Sequence, residues 1–458
     1  MSAGTARAAR AAMGSDVRLA WALLRGSDRR EWWRVTLTGI GAALATGFAL
    51  AAVSLAALRG TYRFEIAHGL LDQPGERAGV VLALVLLLIP VLGFLGQCAR
   101  IGAVHRDRRL AGLRLAGGTP WQVRRIAAYE TGLACLAGSA VATVFSVLLL
   151  LTRWGRPTAA VWAGIAVVAV GVPVAGALVG VLALRRVVAS PLGWVRRVRA
   201  PGGRAPWFVV GGAVVGVPAL LIVFIQWDQG RAAFPLAPVT VWVGVVLTGL
   251  GAVGLSGLVA RLTGRRLAAR TSRPAVLIAA ERLCADPWAA ARTHAAALLV
   301  TVVGAGFVGV RAALLDILRS DPHMESLAFY TTGLDLTAAA IGVALLITLG
   351  ALAVGAAESL ATRRRGLAAQ SAAGVPRAVL GRALLLETAL PLAPALLLAG
   401  AGGLAVGTGY ATLTGPGWSV PWASLLVPVV VYAGCLLAAA TALPLLGRSV
   451  RPGELRYG

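Results

Sequence analysis

Ten runs of roughly 20 or more mostly apolar residues, separated by short arginine-rich segments, constrain this chain more than any other feature. They cover residues 36–58, 79–99, 127–151, 160–184, 207–227, 237–260, 295–318, 334–357, 384–407 and 423–446. A helix of that length spans the hydrocarbon core of a bilayer, about 30 Å thick. In lipid the backbone N–H and C=O groups must be satisfied within the segment itself, which selects helices here. Composition agrees, with 58% hydrophobic and 13% charged residues, where a soluble domain has about half and a quarter. The chain therefore reads as an all-α integral membrane protein. Pro90, Pro173, Pro218, Pro391 and Pro394 fall inside these runs, where membrane helices tolerate proline and can kink at it.

Charge orients the spans. The net charge is +25, but the basic residues stand in short blocks between apolar runs, so nucleic acid is not the expected partner. Loops on the cytoplasmic side are enriched in Lys and Arg. With the N-terminus inside, the segments 1–35, 99–126, 185–206, 261–294, 359–382 and 447–458 hold 35 of the 43 arginines. Ten helices with both termini cytoplasmic follow, in a multi-pass protein of the cell membrane, with a bacterial origin expected. The outer loops, of which residues 59–78 form the longest, are too short to fold as an independent domain. The first 34 residues lack the apolar stretch of a signal peptide and are expected not to be one.

Every basic residue is Arg, with no Lys. A phosphate-binding P-loop needs its Lys and Schiff-base chemistry needs an amine, so neither is available to this chain. Cys98, Cys135, Cys284 and Cys435 show no metal-ligand spacing and are expected to pack as small apolar side chains. No catalytic residue, metal site or cofactor is expected.

The sequence repeats itself. "RRLAGLRLAGGTPWQVRRIAAYE" (108–130) aligns with "RRGLAAQSAAGVPRAVLGRALLLE" (364–387). At an offset of 256, Arg108 and Arg109 match Arg364 and Arg365, Gly118 matches Gly374 and Pro120 matches Pro376; one inserted residue then brings Glu130 to Glu387. Residues 19–34 align with 277–292 at an offset of 258. The chain thus divides 4+2+4. Residues 1–35 form an amphipathic N-terminal segment and 36–184 a first four-helix unit. A linker with two spans (185–265) and an amphipathic helix (266–294) lead to a second four-helix unit (295–446) and a tail (447–458). Two intervening helices leave the units parallel, related by an axis along the membrane normal. The segments 19–34 and 277–292, with Trp and Leu interleaved among charges, are expected to lie on the inner leaflet.

Both quoted stretches are basic helices broken by glycine. Gly117 and Gly118 can end a helix, and Thr119 and Pro120 can start the next as N-cap and first helical residue. Gly374, Val375 and Pro376 repeat the break without the Thr cap. A connector that only pins topology and touches anionic lipid headgroups need not keep such a break twice. Two equivalent docking elements for a two-fold symmetric cytoplasmic partner account for the duplication.

This pattern resembles that of FtsX-like permeases, the membrane subunits of the MacB-type ABC transporter superfamily. Arg108, Arg109, Leu113, Gly118, Gln122 and Glu130 match in the first copy, and Arg364, Arg365, Gly374 and Glu387 in the second. Gln370, Ser371, Pro376 and Arg377 depart from the usual wording. Pro452, Glu454, Leu455 and Arg456 resemble the family's C-terminal ending. The large extracellular domain of many members has no counterpart here. The resemblance implies a permease subunit whose two coupling loops each seat on one copy of a cytoplasmic ATPase dimer. That partner would bind ATP and Mg, and its hydrolysis would drive export or mechanical handling of an amphipathic, lipid-like or antibiotic-like substrate.

Ionisable groups within spans are costly and point to function. Glu130 and Glu387 lie near the inner ends of spans three and nine, and Glu358 closes span eight. Each can be an interfacial carboxylate held by an Arg, or a latch that transmits loop movement into the bundle. Two other functions fit the same composition: a membrane regulator driven by an ATPase without transport, and a proton-coupled secondary transporter. The latter needs midplane coupling groups, and few charges occur there.

Overall fold

The computed structural model describes residues 29–58, 60–61, 71–72, 74–98, 112, 115–154, 157–183, 237–320, 327–414 and 421–449. Among them there are helices and no strands. We number the helices α1 (Arg29–Ala56), α2 (Pro74–Cys98), α3 (Pro120–Trp154), α4 (Ala159–Ala183), α5 (Ala237–Arg270), α6 (Pro274–Ala285), α7 (Pro287–Ser320), α8 (Leu327–Thr362), α9 (Arg364–Ala372), α10 (Arg377–Thr414), α11 (Leu426–Ala440) and α12 (Leu443–Ser449). Seven segments of these residues are long and apolar enough to cross a membrane. The protein is therefore a multi-pass, all-α membrane protein. The runs at 79–99 and 237–260 fall on α2 and α5, outside those seven, and the run at 207–227 lies outside the described residues.

The tenth run is one of those seven segments (Trp422–Gly447), interrupted within its length. A 3₁₀ turn (Trp422–Leu425) leads into α11, and the chain breaks at Thr441 and Ala442 before α12. Pro444 is the cause: it has no N–H to donate back, and its ring crowds the carbonyl four residues earlier.

The chain divides into two compact units, one holding α1–α4 and the other α5–α12. In the first, α1 packs against α2, α3 and α4, and α3 against α4. In the second, α7 packs against α5, α8 and α10, and α11 covers α8 and α10. Helix α5 contributes to the core of this unit. Its Ala252 lies in the core with Leu298, Val302, Leu392, Leu396 and Ala399.

Large apolar side chains cover the outward faces of α3 and α4. Val141, Val144, Phe145, Leu148 and Leu149 on α3 are exposed, as are Val167, Val170 and Val174 on α4. Lipid is as apolar as these side chains, so burial in lipid provides no reason for helices to associate; close van der Waals packing does. Glycine allows it. A Cβ at Gly138 on α3 would overlap the Gly39 carbonyl oxygen of α1. At the crossing of α7 and α10, a Cβ on Gly403 would stand 2.6 Å from the Val302 oxygen, and one on Gly309 2.8 Å from the Gly407 Cα.

Gly138→Ala should therefore destabilise the first unit by about 1–3 kcal/mol or more through overpacking. Gly47→Ala, on α1 with nothing within 4 Å of the added carbon, should be neutral or stabilising by up to about 1 kcal/mol. Thermal unfolding in detergent micelles measures both, and equal melting temperatures would refute the contact.

Candidate functional site: two basic turns over tied carboxylates

The two glycine breaks fold into the same turn. Gly117 and Gly374 have φ of 95° and 90°, a left-handed conformation that glycine adopts without a Cβ clash. In the second copy the Val375 N–H donates to the Gln370 carbonyl oxygen (3.1 Å) and the Gly374 N–H to that of Ser371 (3.0 Å), the paired bonds of a Schellman motif. Helices α3 and α10 then begin three residues after the left-handed glycine, at Pro120 and Arg377.

This geometry corrects the register read from sequence. Gly117, not Gly118, is the counterpart of Gly374, at an offset of 257, and the same offset relates Pro120 to Arg377 and Glu130 to Glu387. From the left-handed glycine to the carboxylate no insertion is needed. Pro120 has Arg377, rather than Pro376, as its equivalent.

Capping differs between the copies. Thr119 Oγ1 accepts from the Gln122 N–H (3.2 Å), and Gln122 Oε1 accepts from the Thr119 N–H (2.9 Å). This reciprocal capping box satisfies two donors that the helix start leaves over. Pro376 has no such side chain, and its carbonyl accepts from the Leu380 N–H (3.2 Å) as that of Thr119 does from Val123 (3.2 Å).

Beneath each turn a carboxylate is tied to arginine. Glu130, 2% exposed on α3, is hydrogen-bonded and ion-paired to Arg34 of α1, itself 5% exposed. Glu387 of α10 accepts two bonds from Arg363 Nη1, at 2.7 and 2.8 Å, and one from Arg282 Nη1 at 3.3 Å. Arg282 Nη2 also donates to Gln370 Oε1 of α9 at 3.4 Å. One carboxylate thus gathers α6, the α8–α9 junction and α10. The Leu360, Leu367, Leu380, Ala442 and Leu446 cluster, with Val375 against it, packs α9 onto the same helices.

Arg108, Arg109 and Leu113 lie outside the described residues. Gly118 is half-buried and Pro376 exposed; Arg364 is half-buried and Arg365 exposed on α9. Glu358 is partly buried one turn before the end of α8. Among the described residues no group of His, Cys, Asp or Glu is placed to hold a metal.

Sequence reasoning did not single out Arg34, Arg282 or Arg363. The signal for them was indirect, since a buried carboxylate needs a cation. Nor did it single out Leu115 and Trp121, 74% and 63% exposed beside the first turn. The positions 257 residues on are Ala372 and Ala378, both exposed. The same backbone turn therefore presents two large apolar side chains in one copy and a flat small-residue face in the other.

Beside this network, burial pushes the Cys284 thiol of α6 above its ordinary pKa, and Glu281 adds to that shift while Arg265 and Arg261 oppose it. The thiolate is the reactive form. No family model and no curated protein matches the chain.

Arg34→Met takes the Arg34 guanidinium from buried Glu130 and should cost up to about 3–5 kcal/mol, whereas the apolar pair Arg34→Met/Glu130→Leu should recover most of that loss. Denaturation of the purified variants tests this; a double variant as unstable as Arg34→Met would contradict it. In a chain whose other cysteines are replaced by Ala, maleimide labelling of Cys284 should lag a free thiol at neutral pH and catch up only as the pH rises past the ordinary thiol range. Labelling at the free-thiol rate at pH 7 would contradict the raised pKa.

Proposed function

We propose that this chain is the membrane permease subunit of an ABC transporter, of the FtsX-like kind, with ten spans in a 4+2+4 arrangement. The observation that supports this best is the duplicated unit: a left-handed glycine, a helix start three residues later and an arginine-tied carboxylate ten residues further on, repeated at one offset of 257. A lone basic connector needs neither the second copy nor the common register.

On this reading each turn docks on one protomer of a cytoplasmic ATPase dimer, and that partner holds ATP and Mg. Closure of the dimer loads the two turns. In the second copy the load on α9 passes through Gln370 to Arg282 and through Arg363 to Glu387, and so into α10. Movement of the two four-helix units then expels an amphipathic, lipid-like or antibiotic-like substrate taken from the bilayer.

The test is co-purification from the native host in mild detergent with Mg-ATP, followed by stoichiometry. Two ATPase copies per permease chain are expected. Gly117→Val and Gly374→Val force a β-branched residue into a left-handed turn and should each remove about one copy while leaving the permease folded. Absence of any ATPase from the wild-type preparation, with transport following a proton gradient, would overturn the proposal.

A further inference from the structure

Helix α5 is longer than a membrane. Its 34 residues extend about 51 Å at 1.5 Å per residue, against a hydrocarbon core of about 30 Å. The apolar run ends at Ala260, which is fully buried. Beyond it the same helix carries Arg261, Arg265, Arg266 and Arg270, all exposed.

The extension does not stand alone. After Thr271, Ser272 and Arg273 the chain reverses, and α6 runs back along α5. Gly264 faces Ala280, Leu283 and Cys284, and Gly257 faces Trp288; the positions advance on one helix as they fall on the other. Ala252, Ser256, Ala260 and Gly264, four residues apart, form the buried face of α5. Opposite that face lies Leu262, 41% exposed, with Arg261 and Arg265 on one flank by helical geometry and Arg266 on the other.

Depth along this rigid rod has two markers. One is the end of the apolar run at Ala260. The other is Trp288, 41% exposed over Gly257, because tryptophan favours the membrane–water boundary. Arg261, Arg265 and Arg266 lie within roughly 10 Å beyond Ala260. The headgroup layer is about 5–7 Å deep on each side, and arginine stems reach back along an apolar surface to place their heads in it. Arg270 lies about 15 Å out, past that layer. Arg261, Arg265 and Arg266 form no ion pair with a described residue, and the acidic residue beside Cys284, Glu281, is outnumbered by them.

We propose that this arginine-flanked leucine ridge binds the phosphate of an anionic lipid in the arginine-rich leaflet. Arg261 and Arg265 hold it from one side and Arg266 from the other, while Leu262 meets the first methylenes of an acyl chain. The site is distinct from the two turns and does not depend on the permease reading.

The experiment is native mass spectrometry of the full chain in detergent, titrated with phosphatidylglycerol or with phosphatidylcholine of the same acyl chains. The wild type should retain phosphatidylglycerol preferentially. Arg261→Gln/Arg265→Gln/Arg266→Gln should bind it roughly a hundredfold more weakly, with each single variant losing about fivefold. Arg270→Gln/Arg273→Gln, beyond the headgroup layer, should bind within about twofold of wild type. The melting temperature of each variant, read in parallel, should stay at the wild-type value because these side chains are exposed. Retention of phosphatidylglycerol by the triple variant would overturn the proposal, as would equal loss in the Arg270/Arg273 variant. Displacement of the lipid by millimolar inorganic phosphate would assign the site to a free anion instead and overturn the lipid assignment.

Discussion

Backbone touching backbone is the contact on which the rest of this structure rests. Gly138 meets the Gly39 carbonyl between α1 and α3, and Gly309 meets Gly407 between α7 and α10. Water does not drive these helices together, because their outward faces are apolar and suit lipid. Dispersion contacts must do it, and these fall off so steeply with distance that one added methyl group separates the partners. The same two crossings bring α1 to α3 and α7 to α10 at the level where Arg34 can reach Glu130 and where α6 and α8 can deliver arginines to Glu387.

The two carboxylates solve one problem in two ways. Glu130 is buried against Arg34 across a helix pair. Glu387, less buried, shares two arginines and thereby joins α6, α8, α9 and α10. A buried charge pair adds little net stability over an apolar pair, but removing one partner is costly. Such ties therefore hold helices in register more than they strengthen the fold. A register device directly below a surface turn is well placed to pass displacement inward, because a buried pair offers few alternative arrangements.

The local parts of the site were legible. Thr119 and Gln122, three apart, spell a capping box, and a glycine before a capping residue or proline spells a helix break; both depend on neighbours within one turn of chain. The pairing of Gly118 with Gly374 was misread because adjacent glycines look alike in sequence, and only φ separates Gly117 from Gly118. The partners of the carboxylates were not legible, since Arg34 is 96 residues from Glu130 and Arg282 is 105 from Glu387.

Apolar run length and arginine placement by themselves determined that this chain is helical, that it crosses a membrane several times and where its basic turns lie, because hydrocarbon thickness and backbone hydrogen bonding leave no other solution. Tertiary structure alone decided two things. It packed α5 into the core of the second unit and turned α6 back along α5 to bring Arg282 to Glu387. Each of these depends on which helices touch, and periodicity within one helix carries no information about the face of another.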